Sequence, residues 1–275
     1  MRALLVLTLV TGSLAAHAQA PEGRVRDGLD VRLRPSLGAI ERGDHAQAID
    51  TLKPIAAEGI PQAQHLLGLA YESAEPPARD LKAAHDWYLK AAEAGLPESQ
   101  NNLGALYFDG RGVPRDLEKA AQWYRRAAEA GSPEAQHNLA LMHGRGQGVA
   151  QSDTEMLRWL RRAANAGYPR SQAQLGRLLL EGGGIEPNPT EAVRFLARAA
   201  GAGHPQAQFL LAQLLQKGLG IERDLSRAHD LYLKAAEHGV PEAMRALASI
   251  YEIGLGVPAD PARAKAWRER SEKSR

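Results

Sequence analysis

The 275-residue chain has no cysteine. That excludes disulfides, a thiol nucleophile, a cysteine-held metal and a lipid anchor on an N-terminal cysteine. Aromatic residues make up only 5%, and neither sign of charge dominates: 34 Lys and Arg stand against 32 Asp and Glu, a formal net charge of +2. Such a balance gives no pull of its own toward nucleic acid or an anionic membrane. After the first twenty residues no stretch is apolar for long enough to span a bilayer.

What is present begins with a leader. Arg2 is followed by an uncharged run from Ala3 to Ala16 and then by Ala18-Gln19-Ala20, with small residues at the positions a signal peptidase reads. The pattern predicts residues 1–20 as a cleaved signal peptide and a mature chain starting at Pro21. The expected location is the periplasm, with the extracellular medium second. The whole chain is 44% hydrophobic, enough for a sizeable core, and its 27 Gly and 16 Pro exceed what a plain bundle needs.

Those glycines and prolines fall in register. Gly59, Gly95, Gly131, Gly167, Gly203 and Gly239 recur every 36 residues, as do Leu67, Leu103, Leu139, Leu175, Leu211 and Leu247. Beside the leucines stands an always-small column (Gly68, Gly104, Ala140, Gly176, Ala212, Ala248), and a third column is Trp87, Trp123, Trp159, Phe195, Leu231 and Trp267. A fixed period of this size is the mark of a repeat architecture.

Each period reads as two helices. The first opens on a proline (Pro97 in the clearest copy), which costs no hydrogen bond at the first helical position. It carries Ser99, Leu103, Leu106 and Tyr107 as one expected buried stripe and stops at Gly110-Arg111-Gly112. The second opens after Asp116, an N-cap whose column also holds Asp80, Ser152, Asn188, Asp224 and Asp260. Ala120, Trp123, Ala127 and Ala128 are its expected inward residues. One hairpin cannot bury its own stripe, but stacked hairpins can. The predicted fold is all-α, a right-handed α/α solenoid over residues 44–270. Residues 21–43 are expected to form an N-terminal segment or degenerate cap, and 271–275 a polar tail, with the last helix stopping near Arg270. Pro76-Pro77-Ala78-Arg79 departs from the Gly-x-Gly junction, so the first junction should differ.

Ser99-Gln100, Leu103-Gly104, Tyr107, Gly110, Gly112-Val113, Asp116, Lys119-Ala120, Trp123-Tyr124, Arg126-Ala127-Ala128 and Gly131 together resemble the Sel1-like repeat, a relative of the tetratricopeptide class. The resemblance implies an adaptor that holds partners together in signalling, quality control or envelope assembly. A cysteine-rich exported branch of the family has been linked to penicillin binding and weak β-lactam hydrolysis. This chain lacks those cysteines, so that activity is not carried over.

Catalytic patterns are few. Beyond His17 in the leader there are His45, His65, His85, His137, His143, His204, His229 and His238, and none forms a His-Glu-x-x-His pair. No Gly-x-Ser-x-Gly elbow occurs, and no Ser-x-x-Lys with its companion motifs. Gly144-Arg145-Gly146-Gln147-Gly148 lacks the strand and the Lys-Ser/Thr of a phosphate loop, and the repeat register explains its glycines. No catalytic residue, metal or cofactor is assigned.

The expected function is an exported scaffold or adaptor that binds a protein or peptide through the concave face lined by the first helices. The candidate groove comprises His65, Asn101, Asn102, His137, Arg177, Phe209, Gln213 and Arg245. The alternative is a cell-wall or envelope-glycan enzyme, including a β-lactam-interacting protein, with a site assembled across repeats. The Gln64, Gln100, Gln136, Gln172, Gln208 column is expected to bridge neighbouring helices through amide hydrogen bonds. A basic ladder on the second helices, including Lys90, Arg126, Arg162 and Arg198, offers a weak contact to an anionic glycan or lipid. Each cation there also suits a helix C-terminus, and three can pair with Glu93, Glu129 and Glu237. Nucleic acid is not expected.

Overall fold

A computed structural model of the chain describes residues 30–182 and 184–274. The expected leader and cleavage site lie outside the described residues. A short 3₁₀ turn, Val31–Leu33, leads into α1 (Arg34–Glu41). Then follow α2 (His45–Ala57), α3 (Pro61–Ser73), α4 (Leu81–Glu93), α5 (Pro97–Asp109), α6 (Leu117–Glu129), α7 (Pro133–Arg145) and α8 (Asp153–Asn165). The chain continues with α9 (Pro169–Glu181), α10 (Pro189–Gly201), α11 (Pro205–Lys217), α12 (Leu225–Glu237), α13 (Pro241–Ile253) and α14 (Pro261–Lys273). The fold is an all-α solenoid of paired helices repeating every 36 residues. The chain divides into two compact units, one ending at Ser132 and one running from Pro133. No helix among the described residues is long and apolar enough to cross a membrane.

The helix ends follow the predicted chemistry. Asp80, Asp116, Ser152, Asn188, Asp224 and Asp260 each accept the backbone N–H three residues on, at 2.9–3.2 Å. The first helices α5, α9, α11 and α13 end on Gly110, Gly182, Gly218 and Gly254, all left-handed. The first junction does differ: α3 leaves through Ala74 in an extended conformation and passes a cis Pro76–Pro77 bond. It still rejoins the common pattern, since Asp80 N–H donates to Tyr71 C=O as Asp116 N–H does to Tyr107 C=O. At the other end α14 runs to Lys273, beyond the expected stop near Arg270.

The core corrects one expectation about which aromatic is inside. Trp123 and Trp87 are only half-buried, whereas their neighbours Tyr124 and Tyr88 are enclosed. The reason lies across the hairpin. A Cβ on Gly68 would sit 2.7 Å from the Tyr88 ring, and one on Gly104 would sit 2.8 Å from the Tyr124 ring. Glycine at that column lets the second helix lay a flat ring directly on the first helix's backbone. In the repeat holding Gly176 the presser is Leu196, at 2.6 Å. Below these contacts the unit ending at Ser132 stacks Leu33, Leu52, Leu67 and Leu106 in one cluster. The unit from Pro133 encloses Leu139, Leu160, Leu175 and Leu215.

Candidate interaction surface

In each first helix, burial sorts the residues into two sides. On α5, Ser99, Gln100, Asn101, Leu103, Gly104 and Leu106 are buried, while Glu98, Asn102, Ala105 and Asp109 stay open in part or whole. Those four are spaced i, i+4, i+7 and i+11, one stripe along the helix. The corresponding stripe of α9 is Arg170, Gln174, Arg177 and Glu181, and that of α11 is Gln206, Leu210, Gln213 and Lys217.

The buried side fastens each first helix to its neighbours. Gln100 and Gln172 donate from Nε2 to the carbonyls of Ala92 and Ala164 at 3.1 Å, and Gln64 and Gln208 do the same to Ala56 and Ala200. The acceptors are carbonyls in the last turn of the preceding second helix, which also accept from the N–H groups of Gly59, Gly95, Gly167 and Gly203. The glutamine column therefore bridges neighbouring helices as the sequence suggested.

The structure divides the eight candidate groove residues. His65 and His137 turn into the seams between first helices, where each Nδ1 shares a 2.9 Å hydrogen bond with a serine hydroxyl, Ser99 and Ser171 respectively. Burial is the chief cause that pushes both imidazoles down to about 4; a nearby Glu98 opposes it at His65, and Arg170 and His204 reinforce it at His137. Asn101 is buried, and so is Phe209, whose ring lies 5.9 Å from that of Tyr232. For His65 and His137 the physical reason is register: each meets the serine at the start of the next first helix of its own unit. Arg245 shares the column yet is exposed, and no first helix follows α13 among the described residues.

Four candidates remain on the open side. Asn102 is half-buried against the Tyr88 hydroxyl, which donates to Glu72 at 2.9 Å; Arg111 pairs with the same carboxylate. Arg177 pairs with Glu181 at 2.6 Å, Arg245 lies 3.5 Å from Glu242, and Gln213 is half-buried. Sequence reasoning missed Glu98, Asp109, Arg170 and Gln174, which share their stripes. The pattern that finds them is the complement of the buried positions, not the columns adjoining the conspicuous glutamines.

Two further pairs join second helices to the following first helices. His85 Nε2 and the Tyr107 hydroxyl are 3.1 Å apart, and His229 Nε2 and the Tyr251 hydroxyl 2.9 Å. Both ring pairs meet edge-on. These histidines serve packing. Among the described residues no group of three His, Asp or Glu side chains is arranged to hold a metal ion.

On the second helices the basic ladder takes an arrangement not foreseen. Lys90 lies over the Trp87 ring at 3.9 Å and Arg126 over Trp123 at 4.6 Å. Trp159 is flanked by Arg158 at 4.5 Å and Arg162 at 5.0 Å. These are cation–π contacts, formed because the ladder sits one turn after the tryptophan column.

The Sel1 repeat pattern matches six consecutive segments of the chain: residues 61–96, 97–132, 133–168, 169–204, 205–240 and 241–271. A solved structure of a protective antigen from uropathogenic Escherichia coli strains, described as displaying an SLR fold, is 32% identical with a TM-score of 0.76. The match covers 83% of this chain and 49% of that one, so the chain spans about half the antigen's length. A Sel1 repeat protein from Oxalobacter formigenes is also 32% identical, with a TM-score of 0.72, covering 88% of this chain and 97% of its own. An immunity protein from Pseudomonas aeruginosa, 22% identical with a TM-score of 0.50, covers 78% of this chain and 81% of its own and shares the fold alone. No curated protein matches the chain.

Proposed function

This chain belongs to the Sel1 repeat family, whose folds form non-catalytic, protein-binding scaffolds, and on that premise we propose that it is an exported adaptor whose first-helix stripes dock a protein or peptide in the cell envelope. The observation that carries the proposal is the contrast between the two sides of the first helices. The leucine column facing the core keeps one chemistry through all six copies, from Leu67 to Leu247. The open columns do not: the one through Asp109 reads Ser73, Asp109, Arg145, Glu181, Lys217, Ile253, and the one through Ala105 reads Ala105, Leu141, Arg177, Gln213, Ser249 after a buried Leu69 in the first copy. Packing alone asks nothing of an exposed position, so a repeated frame with individual outer residues suits a surface that addresses a particular partner.

Within the unit from Pro133 the stripes of α9 and α11 supply Arg170, Arg177, Gln174, Gln213 and Lys217: amides for a backbone and cations for acidic side chains. The buried His137 and Phe209 shape that surface from beneath and are not offered as contacts.

Crosslinking in cells followed by mass spectrometry should recover a reproducible envelope partner. Arg177→Glu combined with Gln213→Glu should cut its capture by about tenfold or more while leaving the helical content unchanged, since both residues lie on the open side. Capture indifferent to both substitutions would remove the basis of the assignment.

A further inference from the structure

We propose that the second-helix face of the two repeats spanning residues 133–204 docks electrostatically on a bilayer surface carrying anionic phospholipid. The inference is independent of the first-helix reading, because the face lies on the other member of each hairpin.

The last eight residues of each second helix show the departure. They read DWYLKAAE in α4, QWYRRAAE in α6, DLYLKAAE in α12 and AWRERSEK in α14, each with at least one carboxylate. In α8 they read RWLRRAAN and in α10 RFLARAAG, with no carboxylate and five arginines between them: Arg158, Arg161, Arg162, Arg194 and Arg198. At two columns the change is a direct replacement. Where Asp86 and Asp230 stand elsewhere, these repeats have Arg158 and Arg194; where Glu93, Glu129 and Glu237 stand, they have Asn165 and Gly201.

The two helices present their arginines together, because Arg161 of α8 pairs with Glu191 of α10 at 3.0 Å. Glu155 accounts for Arg158 at 2.6 Å. No carboxylate of the described residues lies within ion-pair distance of Arg162, Arg194 or Arg198, and all three are exposed. Interaction with the helix dipole explains the late cations Arg162 and Arg198 but not the mid-helix pair Arg158 and Arg194.

The surroundings select the partner. Trp159 is 2% exposed beneath Arg158 and Arg162, and Phe195 is 5% exposed, so neither ring is open to a sugar or a base. The large apolar side chains exposed among the described residues, Val31, Leu219 and Ile253, lie on other elements, so the face lacks the apolar anchors that centre a protein interface. What it offers is a set of guanidinium forks, which match phosphate oxygens and need no pocket when the phosphates form a layer.

The test is co-sedimentation of the full mature chain with phosphatidylcholine vesicles, with and without phosphatidylglycerol as about a third of the lipid, at low salt and at about 0.5 M salt. The chain should pellet with the anionic vesicles at low salt, stay in solution with phosphatidylcholine alone, and be released by high salt. Arg158→Asp with Arg194→Asp restores the acidic residue that two other repeats carry at this column, and it should weaken binding at least about tenfold. Asn165→Glu with Gly201→Glu, which likewise follows the other repeats, serves as a second variant should the first alter folding. Arg170→Asp with Arg177→Asp makes the same charge change on the first helices and should bind as the parent does. The inference is overturned if the parent ignores anionic vesicles, if the second-helix and first-helix variants lose binding equally, or if inorganic polyphosphate or duplex DNA is bound while vesicles are not.

Discussion

Within the unit that begins at Pro133, the first helix α7 places a histidine in its seam and α11 places a phenylalanine at the same column. His137 and Phe209 are both 7% exposed. Around His137 the neighbouring column supplies Ser171, whose hydroxyl meets the imidazole at 2.9 Å; at the position equivalent to Ser171 in the last repeat stands Ala243. One backbone arrangement is thus filled by a polar pair in one place and an apolar one in another. The apolar filling is unconditional, whereas the polar one holds only while the imidazole stays neutral and bonded. Nearby Arg170 and His204 also disfavour its charge.

The largest effect should come from emptying the apolar seam. Phe209→Ala removes a buried ring that packs on Tyr232 and should lower stability by about 3–5 kcal/mol, measured by urea unfolding. Next is the acid response of the polar seam. Its folded pKa of about 4 lies below the ordinary 6.5, so the seam is intact above pH 6.5 and loses stability as pH falls toward 4. The loss amounts to at most about 3 kcal/mol. His137→Phe with Ser171→Ala copies the apolar seam and should flatten that part of the pH profile; an unchanged slope would show that the acid response resides elsewhere. The smallest effect is that of Ser171→Ala alone, which leaves Nδ1 buried without its partner and should cost about 1–3 kcal/mol at neutral pH.

Much of the fold could be read from the chain because repetition multiplies weak cues. A single Asp116 suggests an N-cap; Asp80, Ser152, Asn188, Asp224 and Asp260 in step with it define one. The same holds for the glycines that end the first helices. Register could not say which of Trp123 and Tyr124 points inward, since the two aromatic residues are adjacent in the sequence. That choice follows from Gly104, whose bare backbone accepts the tyrosine ring. The interaction surface was less legible for a related reason. His65, His137 and Phe209 drew notice because they vary, but variation also occurs inside a seam when the facing residue varies with it, as Ser99 and Ser171 do opposite the two histidines. Arg177 and Gln213 lie outside the buried seam, and Arg245, in the seam column itself, is exposed where no first helix follows α13 among the described residues.

The partner is expected on the open stripes of the first helices. Photo-crosslinking residues installed singly at Gln174, Arg177 and Gln213, with Ser226 and Asp230 on α12 as second-helix controls, test this in cells. The prediction is one shared adduct from the three first-helix positions and none from α12. An adduct formed from Ser226 or Asp230 but absent at all three first-helix positions would contradict it.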